Sequence, residues 1–232
     1  MKQRKNLFGF LMIAVIMLVW SFAGADLITI TSWNELTNQY TNITTNDRTL
    51  IISIDLTPST TPDILSPANW TNLTISGGSS LKYLDGNSNP GFRVNNNQMI
   101  NFNYIGFENF LTTDGGAIYL NNSTASFTVS NTFNTNSAKL GGAVYINYGN
   151  AHFTNSSEMN FINNGSQSDA GAIYIDGGNI ESENNSAVVF ATNTASRGGA
   201  VFMRKGTVPP ASFIFRNNSV FFTTNTAEIS GG

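Results

Sequence analysis

Few residues in this chain can do acid–base chemistry. Asp114, Asp169 and Asp176 lie near the glycine corners, Glu181 and Glu183 lie two apart, and His152 is the single histidine. Two carboxylates a few ångströms apart, one as acid and one as base or nucleophile, would hydrolyse a glycoside. An Asp/Glu cluster with a nearby Arg or Lys would suit calcium-dependent lyase chemistry. A lone histidine makes neither a catalytic dyad nor a metal site without a nucleophile, an orienting group or further ligands. The chain has no cysteine, which excludes disulfides, zinc–thiolate sites and iron–sulfur centres. Whether any of these groups meet depends on the elements that carry them.

Those elements repeat. "GGAIYL" at 115–120 returns as "GGAVYI" at 141–146, "AGAIYI" at 170–175 and "GGAVFM" at 198–203. A second motif keeps step: "FNTN" at 133–136, "FINN" at 161–164, "FATN" at 190–193 and "FTTN" at 222–225, with "FLTT" at 110–113 as a weaker first copy. A third apolar piece, such as "ASFTV" at 125–129 or "ASFIF" at 211–215, lies between them. Units of this kind, about 26–32 residues long and built from short strand-like pieces separated by Gly, Asn, Asp and Ser, predict an all-β solenoid of three strands per turn.

Alternation along the strand assigns the faces. One parity holds Ile118, Val144, Ile173 and Val201, then Leu120, Ile146, Ile175 and Met203, all apolar. The other holds Ala117, Ala143, Ala172 and Ala200, then Tyr119, Tyr145, Tyr174 and Phe202, then Asn121, Asn147, Asp176 and Arg204. The apolar parity is expected inside and the second outside. Phe133, Phe161, Phe190 and Phe222 are expected to form an internal column. Asn136, Asn164, Asn193 and Asn225 would end their strands, tolerate a left-handed corner and stack amides along the axis. The glycine pairs would serve the next corner, by positive φ or by excluding a β-carbon.

Of the three aspartates only Asp176 falls at an outward strand position on this register, and its axial neighbours are Asn147 and Arg204. Glu181 and Glu183 have no evident partner coil. The sequence therefore places no catalytic, cofactor-binding or metal site, and an enzyme is not expected. His152 reads as a strand surface residue. The column Tyr119, Tyr145, Tyr174 and Phe202 is the one candidate binding surface, since aromatic faces stack on sugars or anchor protein partners. Cross-strand stacking that merely stabilises the sheet explains the same letters.

The combined pattern Phe-x-x-Asn-Ser/Thr-Ala followed by Gly-Gly-Ala-Ile/Val, as in "FNTNSAKLGGAV" and "FATNTASRGGAV", resembles the chlamydial polymorphic outer-membrane protein repeat. The resemblance covers the chain from Phe110 onward. Ala170 in place of the first glycine and "NGSQSDAG" depart from the pattern. The resemblance implies a right-handed parallel β-helix displayed outside the cell, the passenger of an autotransporter with a C-terminal membrane barrel, and a link to adhesion.

The N-terminus agrees with export. Lys2, Arg4 and Lys5 precede an apolar run at 7–20 and the small-residue site "AGA" at 23–25, the pattern of a signal peptide cleaved after Ala25. Ser32-x-x-Glu35 reads as a capping box before Trp33, Leu36 and Tyr40, which predicts a short capping helix. The expected organisation is a signal peptide at 1–25, an N-terminal cap at 26–66, and a β-helix at 67–232 that breaks off on an unfinished "GG" and so reads as part of a longer protein. The sequons at Asn42, Asn69, Asn72 and Asn155 match the Asn/Ser/Thr-rich composition and matter only in a glycosylating host.

Charge is scarce, 11% of residues with a net −3, which argues against a nucleic-acid partner. The expected function is a secreted or cell-surface (outer-membrane) adhesin or structural passenger, with a host or neighbouring-cell protein or glycan as partner. A membrane would be met only through the signal peptide or a missing barrel. The alternatives are a carbohydrate-active β-helix enzyme, either polysaccharide lyase or hydrolase, and a self-associating surface fibre.

Overall fold

The computed structural model describes residues 27–42, 48–58, 70–155, 158–184, 187–204 and 210–230. The expected signal peptide and its cleavage site at Ala25 lie outside the described residues, as do Asn69 and the closing glycines. The fold is a parallel β-solenoid. Its strands form sheets of eleven, six and four members, and every strand pair is parallel.

One turn shows how the chain coils. Strands Ile118–Asn121, Thr124–Thr128, Asn131–Asn134 and Ser137–Leu140 follow one another. The bends that close the segments hold Asn122, Val129, Thr135 and Gly141 at φ of 48°, 62°, 53° and 60°. The next turn repeats them with Tyr148, Asn155, Asn163 and Ala170, all at positive φ. Each left-handed residue redirects the strand by a sharp angle while the flanking backbone keeps its ladder.

Three expectations need correction. The GGA strand and the "ASF" strand do not form two sides; both join the eleven-stranded sheet, and in two turns they fuse into single strands, Val144–Thr154 and Ile173–Glu183. The third side comes instead from Ser137–Leu140, Gly165–Asp169, Thr194–Arg197 and Thr226–Ser230. These strands are bulged and bury few apolar side chains, so no alternation announces them. Second, the four motif alanines assigned to the outward parity are buried in the core. They lie before the strand begins, where alternation does not yet apply.

Third, the motif asparagines are not the left-handed residues. That conformation falls one residue earlier, at Thr135, Asn163, Thr192 and Thr224, and it turns the following Asn into the core. Asn136, Asn164 and Asn193 are buried. The stacked amides do bond along the axis: Asn136 Nδ2 donates to Asn164 Oδ1 at 3.0 Å, Asn164 to Asn193 at 3.0 Å, and Asn193 to Asn225 at 2.9 Å.

The apolar interior follows the predicted parity. Ile118, Val144 and Ile173, with Leu120, Ile146 and Ile175, are buried in one cluster. Met203 departs from it at 49% exposure, because it lies in the last described turn. Phe133, Phe161, Phe190 and Phe222 stack at 4.8–4.9 Å with nearly parallel rings, but only the first three are internal; Phe222, also in the last described turn, is 58% exposed. The column extends down to Phe107, 4.7 Å from Phe133, and not to Phe110. Phe110 takes the position of the ladder amide instead: its N–H donates to Asn136 Oδ1, and its ring meets Trp33 at 6.0 Å. The polar ladder thus gives way to an apolar cap.

That cap is helix α1, Trp33–Asn42. The Glu35 N–H donates to Ser32 Oγ, and Glu35 Oε2 accepts from the Thr31 N–H, so the carboxylate reaches one residue beyond the expected box. Trp33, Leu36 and Tyr40 face inward. Tyr40 packs edge-on against Trp70 and Phe92, and its hydroxyl donates to the Arg93 carbonyl at 3.0 Å. The sheet runs unbroken beneath it from Leu27–Ile30 through Arg48–Ile52 into Asn72–Ser76.

Candidate functional site

In-register stacking brings Tyr119, Tyr145, Tyr174 and Phe202 into one outer column, as the sequence spacing requires. Successive centroids are 5.2, 5.0 and 5.6 Å apart, the first two pairs edge-to-face and the last parallel. Arg93 lies 4.3 Å from the Tyr119 centroid and Arg197 5.0 Å from that of Phe202, so each end of the column carries a cation–π contact. Tyr145 is 9% exposed and Tyr174 5%. Ala170 and Leu140 pack against them. The middle of the column spends its ring faces on its neighbours and presents little to a partner.

Burial, then the nearby Asp176 carboxylate, pushes the Tyr145 phenol well above its usual range. Burial and Asp176 raise Tyr174 too, against a lowering by Arg204. Both phenols stay protonated through the physiological range, as a structural stack requires and a general base does not.

The carboxylates singled out by sequence are tied along the axis. Asp169 accepts two hydrogen bonds from Arg197, at 2.6 and 2.7 Å. Asp176 Oδ2 accepts from Arg204 at 2.7 Å, and Glu183 Oε1 from Arg216 at 2.6 Å. Glu181, for which the sequence offered no partner, lies 3.8 Å from His152 Nδ1. Asp114 bridges to the third sheet at Leu140 through its backbone. Three of the five carboxylates therefore face an arginine one turn further on. Among the described residues no group of three or more His, Asp or Glu could hold a metal ion, and no helix is long and apolar enough to cross a membrane.

One feature escaped the sequence reading. At the bend inside the eleven-stranded sheet, Asn97, Asn122, Ser123, Thr124, Tyr148 and Asn150 line a groove of about 220 Å³. A second hollow, of about 280 Å³, lies between the start of α1 and residues 54–57. The first could have been found by aligning "NNS", "NYG" and "DGG" at 121–123, 147–149 and 176–178, where Tyr148 breaks a run of Asn and Gly.

These features define the class: a parallel β-solenoid with a helical N-terminal cap and an outer surface stitched from turn to turn. Compared with family models, curated proteins and solved structures, the chain finds no match.

Proposed function

We propose that the chain is an exported, non-enzymatic surface protein, an adhesin or structural passenger of the kind its repeats resemble. The observation that carries this reading is the use made of the outer ionisable groups. Asp169, Asp176 and Glu183 are each engaged by an arginine of the next turn, so charge on this surface serves axial cohesion. A glycoside hydrolase or lyase would instead need carboxylates converging on a common substrate atom. What the fold offers a partner is a long surface poor in charge and rich in Asn, Ser, Thr and Tyr.

The resemblance to polymorphic outer-membrane protein repeats supports display outside the cell, and the basic and apolar pattern of 1–25 supports export with cleavage after Ala25. Two measurements test this. N-terminal sequencing of the secreted chain should begin at Asp26. Beads coated with the purified chain should adhere to host or neighbouring cells, while uronic-acid polymers and neutral glycans incubated with it remain uncut. Clear turnover of any such polymer would overturn the reading in favour of a carbohydrate-active enzyme.

A further inference from the structure

We infer that the groove around Tyr148 is a binding site for neutral sugars, the place where an adhesive surface of this kind meets its ligand. The inference rests on the adhesive reading and goes beyond it by naming a site and a ligand class.

Tyr148 occupies a bend that the neighbouring turns fill with other residues. Register places it opposite Asn122 below and Gly177 above. Asn122 and Gly177 also take positive φ, 48° and 79°, and both residue types adopt that conformation readily. Tyr148 is held at φ 54°, where a bulky side chain is an outlier. Tyr104, Val129, Thr135, Thr192 and Thr224 share this geometry, but the first two are half-buried and the threonines carry no ring. Tyr148 is 45% exposed. Folding gains little from the ring there, and strain of this kind clusters at binding sites.

The surroundings fit a sugar. All six lining residues are uncharged, so neither an anionic nor a cationic ligand is favoured. Among the described residues the side chains of Asn97 and Asn122, the Tyr148 hydroxyl and the Thr124 hydroxyl are left without an intramolecular partner, while Asn150 Oδ1 accepts from Asn179 at 3.3 Å and keeps its own NH₂ for a ligand. Amides and hydroxyls both donate and accept, as sugar hydroxyls do. The groove's lining is almost wholly polar, as a hydroxyl-rich ligand requires, and Tyr148 is the one aromatic residue that borders it. The volume, about 220 Å³, is below that of drug-sized pockets and suits one sugar unit of a longer chain. The buried Ser123 is the floor: its hydroxyl is spent on the Val94 carbonyl at 2.9 Å.

The test uses the whole chain and its Tyr148→Gly variant on an array of neutral oligosaccharides, with sialylated and sulfated glycans beside them. Glycoprotein-type glycans and polysaccharide fragments on the same array identify the source. Glycine is what the next turn carries at this bend, so the variant keeps its fold and its melting midpoint does not fall. The expected result is binding to neutral sugars that weakens about ten-fold or more in Tyr148→Gly and also weakens in Asn122→Ala. Binding that is unchanged in Tyr148→Gly, confined to anionic glycans, or absent overturns the groove. Cell adhesion measured in parallel separates the two readings. A chain that adheres to cells but binds no arrayed sugar loses the groove and keeps the adhesive role; one that does neither loses both.

Discussion

Asn164 donates its side-chain N–H to Asn193 Oδ1 at 3.0 Å, and its own Oδ1 accepts from both the backbone N–H and the side chain of Asn136. Its second N–H reaches the Phe133 carbonyl at 3.1 Å. Donors and acceptor are thus saturated on a fully buried side chain. The ladder sits beside the phenylalanine stack, so polar and apolar columns run the same axis.

Replacing Asn164 with Ala should destabilise the fold by about 2–4 kcal/mol, because donors on Asn136 and the acceptor on Asn193 lose buried partners together. Asn160→Ala, on the half-buried outer side of the adjacent strand, should change stability by about 0.5 kcal/mol or less. Urea denaturation of the two variants checks the contrast. Equal midpoints would show that the ladder is not a stabilising element.

Ala170 stands at φ 62° where the equivalent turns carry Gly141 and Gly198 at 60°. A β-carbon built on Gly141 would lie 2.2 Å from the Val144 carbonyl oxygen. Ala170→Gly should therefore stabilise the chain by about 1 kcal/mol, and Gly141→Ala should destabilise it by more. Calorimetry reads both. A lower melting temperature for Ala170→Gly would mean that the methyl group's packing against Tyr145 and Tyr174 outweighs the backbone strain.

The fold should fail at high pH in a particular order. Burial raises the phenols of Tyr40, Tyr145 and Tyr174 above the ordinary value, while the unfolded chain titrates near pH 10. Below about pH 10 both states hold these protons and stability is unaffected. Above it the unfolded state releases them first, so stability falls as pH rises. Tyrosinate absorbance from these three residues should appear together with loss of the β-sheet circular dichroism. Ionisation of all seven tyrosines while the sheet signal persists would contradict the buried column.

The axial ion pairs differ in depth. The Asp176 side chain is nearly enclosed, whereas that of Glu183 is open to solvent. Arg204→Ala strands a buried carboxylate, and Arg216→Ala strands a hydrated one. The first substitution should lower the thermal midpoint more than the second, and adding Asp176→Asn should restore much of the loss. Similar midpoints for both single variants would assign the pairs to the surface alone.

The repeat itself was legible because each letter recurs at one height on the rod. Ile118, Val144 and Ile173 announce the interior by their alternation, and Ser32 with Glu35 announces the cap. The third sheet was not legible, since Ser166, Gln167 and Ser168 carry no apolar alternation, and Ser166 is tied to the preceding turn by its hydroxyl on the Lys139 carbonyl, a bond that leaves no pattern in the sequence. The inward turn of Asn136 and Asn164 was hidden for a different reason. It depends on which of two adjacent residues takes positive φ, and Thr135 is a poor advertisement for that conformation. Tyr145 and Tyr174 were correctly aligned, but their burial depends on Leu140 and Ala170, which shortly precede them and pack back onto the column only because a corner intervenes.

Between Ile175 and Asn179 one turn spends three residues; between their partners Met203 and Ser212 the next spends eight. Pairing resumes on the far side as though nothing had intervened. An interval across which register survives such a length difference is a natural splice point. Foreign peptides inserted there would be held at a defined height on a rigid mast, and the chain can diversify its outline while its axis stays the same.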